Sequence, residues 1–169
     1  MLHFSRDTIR LRIIPLDLEN LYHYVNCYEE VQKNLGVSVT MPEQDPETKY
    51  IFMEAHYQAS NDPENILWYT SWEVIEPISN EIIGGVCFKG PPEDDAVEIG
   101  YSIEPEFRGL GYGTEAVGEM INWAFEQGVK RVYAYTEDGN EASQRLLSKL
   151  GFAQLESQDS LLAWLKKNS

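Results

Sequence analysis

The sequence predicts an α/β domain of mixed α+β character, and three observations carry that expectation. The middle of the chain, from Leu67 to Ile103, is a series of β-branched and aromatic runs separated by turn residues. The end then alternates strand, helix, strand, helix and strand. A length of 169 residues suits one domain. No repeat, low-complexity tract or linker interrupts residues 1–169, so the whole chain is expected to form a single domain.

Each element has a local reason. Thr8 to Leu16 alternates Ile9, Leu11 and Ile13 with Thr8, Arg10 and Arg12, a half-buried strand stopped near Pro15. Asp17 caps a helix to about Lys33, with Leu18, Leu21, Tyr22 and Val25 as its apolar stripe. Gly36 and Pro42 mark a loop. A helix from about Pro46 to Ser60 carries Tyr50, Met53 and Tyr57 on one side, and Asn61-Asp62-Pro63 ends it. Leu67–Glu76 and Ile82–Lys89 pair across the Pro77–Asn80 turn. Gly90 to Asp95 is a loop that no central strand would contain. Ala96–Ile103 is the next strand. Val117, Met120, Ile121, Ala124 and Phe125 then repeat at helical spacing until Gly128. Arg131–Thr136 is a strand, and Asn140 caps a helix with Ala142, Leu146, Leu147 and Leu150 inward and Gly151 at its end. Phe152–Leu155 and Leu161–Leu165 finish the chain as short strands.

Composition excludes several partners. Thirteen Lys and Arg against 28 Asp and Glu leave a formal charge of −15. That opposes the phosphate neutralisation on which nucleic-acid binding rests, and works against anionic membrane surfaces. No apolar run approaches the roughly 20 residues that span a bilayer, and Met1 to Asp7 lacks a signal-peptide core. A cytoplasmic protein with no nucleic-acid or membrane partner is expected. Cys27 and Cys87 are isolated, with no disulfide framework and no metal-type spacing, so no metal is expected.

The strongest local motif is Phe107-Arg108-Gly109-Leu110-Gly111-Tyr112-Gly113-Thr114, between a strand and the most periodic helix. Its glycines permit positive φ and close backbone approach, and the helix start offers unpaired N–H groups to an anion such as a pyrophosphate. A P-loop is excluded because no lysine follows Gly113. A dinucleotide fingerprint fits poorly, although Glu137 lies where a ribose-binding acid would stand. A plain glycine turn before a helix remains the structural alternative. On Ala96–Ile103, Val97, Ile99, Tyr101 and Ile103 share one face, and Ala96, Glu98, Gly100 and Ser102 share the other. Small residues beside one carboxylate leave room for a ligand, or else Glu98 merely solvates an exposed face.

The chain here resembles the GNAT superfamily of N-acetyltransferases, and within it the RimJ/RimL-like ribosomal-protein branch. Arg108–Thr114 is similar to that family's acyl-CoA pyrophosphate loop. Val97–Ile103, Asn140–Ser143, Lys149–Phe152, Ile9–Arg12 and Ile83–Gly85 match in the same order, over about residues 8–156. The resemblance implies a mixed, mostly antiparallel central sheet of about six to seven strands, splayed between the fourth and fifth and flanked by about four helices. It also implies acetyl-CoA as co-substrate in the splay, held by Ile103, Arg108, Gly109, Leu110, Gly111, Tyr112, Gly113, Thr114, Asn140 and Arg145.

Acetyl transfer needs a neutral amine, and lysine and α-amines arrive largely protonated. Glu98 is the expected general base, with backbone N–H groups near Ile103 stabilising the carbonyl oxyanion. The family's tyrosine that protonates the thiolate is replaced by Leu147. Ser143, one turn earlier, is the candidate in its place, against an ordinary helix-face serine. Asn140 has a capping role in any case, and Arg145 and Arg108 have solvated alternatives. Trp68, Trp72, Tyr50, Tyr57 and His56 are candidates for an acceptor pocket, set against a core role. Glu93-Asp94-Asp95 is either a solvated tip or an attraction for a cation. The expected acceptor is an amine, either a basic protein N-terminus or a cationic small molecule, with a homodimer as the expected assembly. A non-catalytic acyl-CoA-sensing module is the alternative function.

Overall fold

The computed structural model describes residues 4–40, 45–156 and 160–169; Pro42, taken above as a loop marker, lies outside them. The strands are β1 (Arg6–Asp7), β2 (Arg12–Pro15), β3 (Ser71–Glu76), β4 (Glu81–Phe88), β5 (Ala96–Ile103), β6 (Arg131–Glu137), β7 (Ala153–Gln154) and β8 (Leu161–Lys167). They form one eight-stranded sheet in the order β1-β2-β3-β4-β5-β6-β8-β7. Every neighbouring pair is antiparallel except β5 and β6. The helices are α1 (Leu18–Asn26), α2 (Tyr28–Leu35), α3 (Pro46–Asn61), α4 (Ile66–Tyr69), α5 (Tyr112–Glu126) and α6 (Glu141–Lys149).

The parallel pair positions the site. β5 and β6 match only over Ala96–Glu98 and Arg131–Tyr133. β5 then stays on β4 as far as Ile103, while β6 continues with β8. The sheet therefore opens into a V between the fourth and fifth long strands, as expected. Asp95 closes the apex. Its carbonyl accepts from the N–H of Lys130 at 2.8 Å and of Arg131 at 3.1 Å, and its carboxylate holds Lys130 Nζ at 2.7 Å. The acidic run is thus engaged as a strand staple at its last residue.

The two sheet faces have separate cores. Trp72, Val74, Val86, Phe88, Val97 and Ile99 pack against α5 through Met120, Ile121 and Trp123. Trp68 and Trp72 lie 4.6 and 4.8 Å from the Trp123 ring, so both tryptophans are core residues. A smaller cluster of Leu16, Leu21, Val31, Phe52 and Ala59 joins α1, α2 and α3.

Several boundaries differ from the sequence expectation, each for a tertiary reason. Thr8–Leu11 is a turn rather than strand, because Glu115 of α5 accepts from Thr8 Oγ1 at 2.6 Å and from the Arg10 N–H at 2.8 Å. Asp7 and Arg6 form the added two-residue strand β1. The helix expected over 17–33 is two, broken at Cys27, where Asn26 Nδ2 bonds back to the Tyr22 carbonyl. Leu67–Tyr69 is helical despite its β-forming residues, because α4 lays Trp68 against Phe88 and Trp123. Among the described residues there are six α-helices and eight strands, against the four and six to seven expected.

β4 and β5 approach tightly at Gly84. A Cβ there would overlap the Ser102 carbonyl oxygen and lie 2.9 Å from Ile103 Cδ1. Gly84→Ala should therefore destabilise the protein by about 1–3 kcal/mol, the usual cost of overpacking, measured by urea unfolding. A loss below about 0.5 kcal/mol would show that the pair is not closed there.

Candidate functional site

The ladder between β4 and β5 decides which backbone groups are available. Lys89 N–H donates to the Glu98 carbonyl at 3.0 Å and Glu104 N–H to Ile83 at 2.8 Å. Antiparallel alternation then turns the N–H groups of Tyr101 and Ile103 away from β4, into the V. β6 has already left at that point, so a strand edge faces the opening.

The glycine loop stands at the mouth of this opening. Gly109 and Gly111 have φ of 77° and 84°, the left-handed region that glycine favours. Gly111 is the N-cap of α5 and supplies no side-chain cap. The N–H groups of Tyr112, Gly113 and Thr114 are therefore first-turn donors with no helical acceptor, at the positive end of the helix dipole. This arrangement fits a pyrophosphate. Gly113 is crowded for a different reason: a Cβ would lie 2.9 Å from Leu146 Cδ1, and that side chain would have to shift. Arg108 Nε donates to the Ile103 carbonyl at 2.7 Å and ties the loop to β5. Arg10, not singled out by the sequence, braces the loop from the other side. It donates to the Leu110 carbonyl at 2.9 Å, pairs with Glu115 at 2.7 Å and lies 4.5 Å over the Tyr112 ring.

α6 faces the V from the far wall. Asn140 Oδ1 caps it by accepting the Ser143 N–H at 3.1 Å. Ser143 Oγ is 2.5 Å from the Tyr101 hydroxyl. Burial raises the Tyr101 phenol, while that hydrogen bond pulls it the other way. Leu147 is fully buried in the core, and Arg145 is exposed and paired with Glu141 at 3.2 Å. The structure thus brings Glu98, Ser143, Asn140 and the β5 edge together around one opening, and leaves the Arg145 guanidinium with Glu141.

A cleft of about 690 Å³ runs from there across the sheet. Its floor is the small-residue face of β3, β4 and β5, with Ser71, Gly85, Cys87, Gly100 and Ser102. α3 supplies Thr48, Tyr50 and Glu54, and Tyr24 and Tyr28 close the end. Tyr24 stacks on Phe52 at 3.4 Å and meets Tyr28 edge-on at 4.9 Å. Burial pushes both phenols far up. Of the aromatic residues proposed for an acceptor pocket, Tyr50 lines this cleft, while Tyr57 and His56 are absent from its lining.

The cleft holds a carboxylic acid that sequence reasoning missed. Glu73 of β3 is 3% exposed, and its Oε1 accepts from Ser71 Oγ at 2.6 Å. Burial pushes its carboxyl up to about 7; the Ser71 bond opposes the shift and Glu104 adds to it. Gly85 makes room, because a Cβ there would lie 3.3 Å from Glu73 Oε1. The signal in the sequence was a lone acid inside Trp72-Glu73-Val74-Ile75. Among the described residues, no group of three or more His, Cys, Asp or Glu could hold a metal, and no helix is long and apolar enough to cross a membrane.

Comparison with known proteins agrees with this geometry. The family described as an acetyltransferase (GNAT) domain matches residues 9–153. The uncharacterised N-acetyltransferase YjdG of Bacillus subtilis is 38% identical over 86 residues, 50% of this chain and 51% of that protein. The matched stretch thus spans about half the length of such curated relatives. Among solved structures, a ribosomal-protein-S5-alanine acetyltransferase from Vibrio fischeri superposes with a TM-score of 0.69 at 20% identity, covering 98% of this chain and 97% of that one. RimL, a ribosomal L7/L12 α-N-protein acetyltransferase in complex with CoA, gives a TM-score of 0.66 at 15% identity, covering 95% of each chain. These likenesses show a shared fold.

Glu73 generates a pH prediction. In the folded protein its carboxyl holds a proton up to about pH 7, whereas its ordinary value is 4.5. Between those values the native state binds the proton and the unfolded state releases it. This group's contribution to stability is therefore full below about pH 4.5 and is lost as pH rises towards 7. A shift of this size corresponds to about 3 kcal/mol. The stability of Glu73→Gln relative to wild type should rise by that amount between pH 4.5 and 8, in urea unfolding. A difference that stays flat would show that Glu73 is solvated.

Proposed function

The chain belongs to the GNAT acetyltransferase family, and on that premise we propose that it is an acetyl-CoA-dependent N-acetyltransferase acting directly on a primary amine. The observation that supports this best is the β5 edge facing the V beside the uncapped start of α5. Residues 1–169 are taken as one acetyltransferase domain of the RimJ/RimL-like branch, cytoplasmic, without a nucleic-acid or membrane partner.

In this reading the pyrophosphate of acetyl-CoA sits on the N–H groups of residues 109–114, with Arg108 alongside. The pantetheine arm lies in the V as an added strand, its amides pairing with Tyr101 and Ile103, and Asn140 stands beside it. The acceptor enters from the cleft. Glu98 takes the ammonium proton, and the freed nitrogen attacks the thioester carbon. The N–C bond forms as the C–S bond breaks. The Ile103 N–H faces the developing oxyanion, as hydrogen-bond donors do in acyl transfer. The nitrogen sheds its second proton as the C–S bond breaks, and the departing thiolate takes up one proton by way of the Ser143 hydroxyl, which gives one proton as it regains one and is held by Tyr101. Arg145, already paired with Glu141, contributes no more than long-range charge to the phosphates.

The acceptor is a protein N-terminal α-amine, as for the ribosomal-protein acetyltransferases that share the fold, or a small cationic amine. The charge of −15 suits either. The second reading, a non-catalytic acyl-CoA sensor, shares the loop and differs at Glu98.

Two measurements test the proposal. Acetyl-CoA at 100 times its Kd stabilises by about 2.7 kcal/mol, which raises the Tm by roughly 5–11 °C. That rise should vanish in Gly111→Val, where φ is strained. Glu98→Gln should lower kcat/KM for amine acetylation by about 10²–10⁴-fold while keeping the rise in Tm. Full activity in Glu98→Gln at pH 7–8 would remove Glu98 as base. Binding without turnover of any amine would favour the sensor.

A further inference from the structure

We propose that the acceptor is a dication, a primary amine whose second, persistently charged ammonium seats against Glu73 in the cleft. This inference rests on the reading of the cleft as an acceptor site. Glu73 is 3% exposed, yet it lines the cavity. One oxygen is bonded to Ser71, and the other, Oε2, carries no hydrogen bond among the described residues. That oxygen is open to the cavity rather than sealed in the core, so it is free to accept from a ligand that enters. No Lys or Arg among the described residues pairs with it.

The charged lining is mostly acidic. Glu54, Glu73, Glu98 and Glu104 face the cavity, and Lys89 is the single cation among its lining residues. Lys89 does not serve Glu73, because its Nζ lies over Gly100, 3.5 Å from where a Cβ would stand. Glu104 is close enough to act on Glu73 by charge. An acceptor with one amine would leave this end unmatched: its nitrogen surrenders its proton at Glu98 and ends as a neutral amide. A second ammonium keeps its charge throughout and converts Glu73 to its ionised form. Glu73 is opposite Gly85, which is opposite Ser102. Two inter-strand steps, roughly 10 Å, thus separate it from the strand edge where the acyl group would lie.

Binding of α,ω-diaminoalkanes from 1,4-diaminobutane to 1,8-diaminooctane, each against the n-alkylamine of equal chain length, tests this on the CoA-loaded protein by calorimetry. At least one diamine should bind about tenfold or more tightly than its matched monoamine. In Glu73→Gln that ratio should fall below about threefold. Glu104→Gln, at an exposed position that does not test folding, should lower it by about two- to threefold. A ratio near one at every length in wild type would overturn the proposal. So would a preference unchanged in both variants, which would make Glu73 a structural acid or a base serving all amines. Because calorimetry needs no turnover, a protein that selects diamines through Glu73 but acetylates none would contradict the acetyltransferase reading and leave only a diamine-binding site at Glu73.

Discussion

Three residue pairs hold β5 to β6, and the site exists because the pairing stops there. At the apex, Asp95 collects two backbone N–H groups and a lysine from the far strand, so the strands cannot part from that end. Beyond Glu98, β5 follows β4 and β6 follows β8. Backbone N–H groups left without partners away from water are costly, so an opened edge is a binding surface for another extended chain. A fully paired β5–β6 would satisfy itself and hold nothing. The glycine loop and the start of α5 extend the same supply of unmatched donors to where an anion fits.

The alternation of β5 then divides the labour between its two faces. One face sends Val97 and Ile99 into the core with α5, and Tyr101 reaches past them to Ser143 on α6. The other face carries Glu98, Gly100 and Ser102 into the cleft, beside the acids and rings of the helical side. In the proposed transfer, the donor for the thiolate and the acceptor for the amine proton thus approach the splay from opposite sides of one strand. That separation fits a transfer in which one proton enters and another leaves.

What the sequence revealed was local. The periodicity of α5, the Asn140 cap, the glycine loop and the two faces of Ala96–Ile103 are each written in adjacent residues, and all four stand in the structure. What escaped depends on partners far along the chain. Thr8–Leu11 alternates like a strand but is bent by Glu115, more than a hundred residues later. Leu67–Tyr69 has strand-forming residues, yet Trp68 gains more against Trp123. Glu73 was passed over as one polar position in a strand, because its burial needs Tyr24, Tyr28 and the bare floor at Gly85. The Tyr101–Ser143 bond joins a residue on the apolar face with one read as a candidate donor or a helix-face serine, and no spacing rule connects them.

Amide hydrogen exchange with and without acetyl-CoA examines the open edge most directly. The account predicts that the amides of residues 109–114, together with Tyr101 and Ile103, slow by at least about tenfold when acetyl-CoA is present, while those of β3 and α1 change little. Unchanged exchange at Tyr101 and Ile103 despite saturating acetyl-CoA would contradict it, since the ligand would then be held somewhere other than the V.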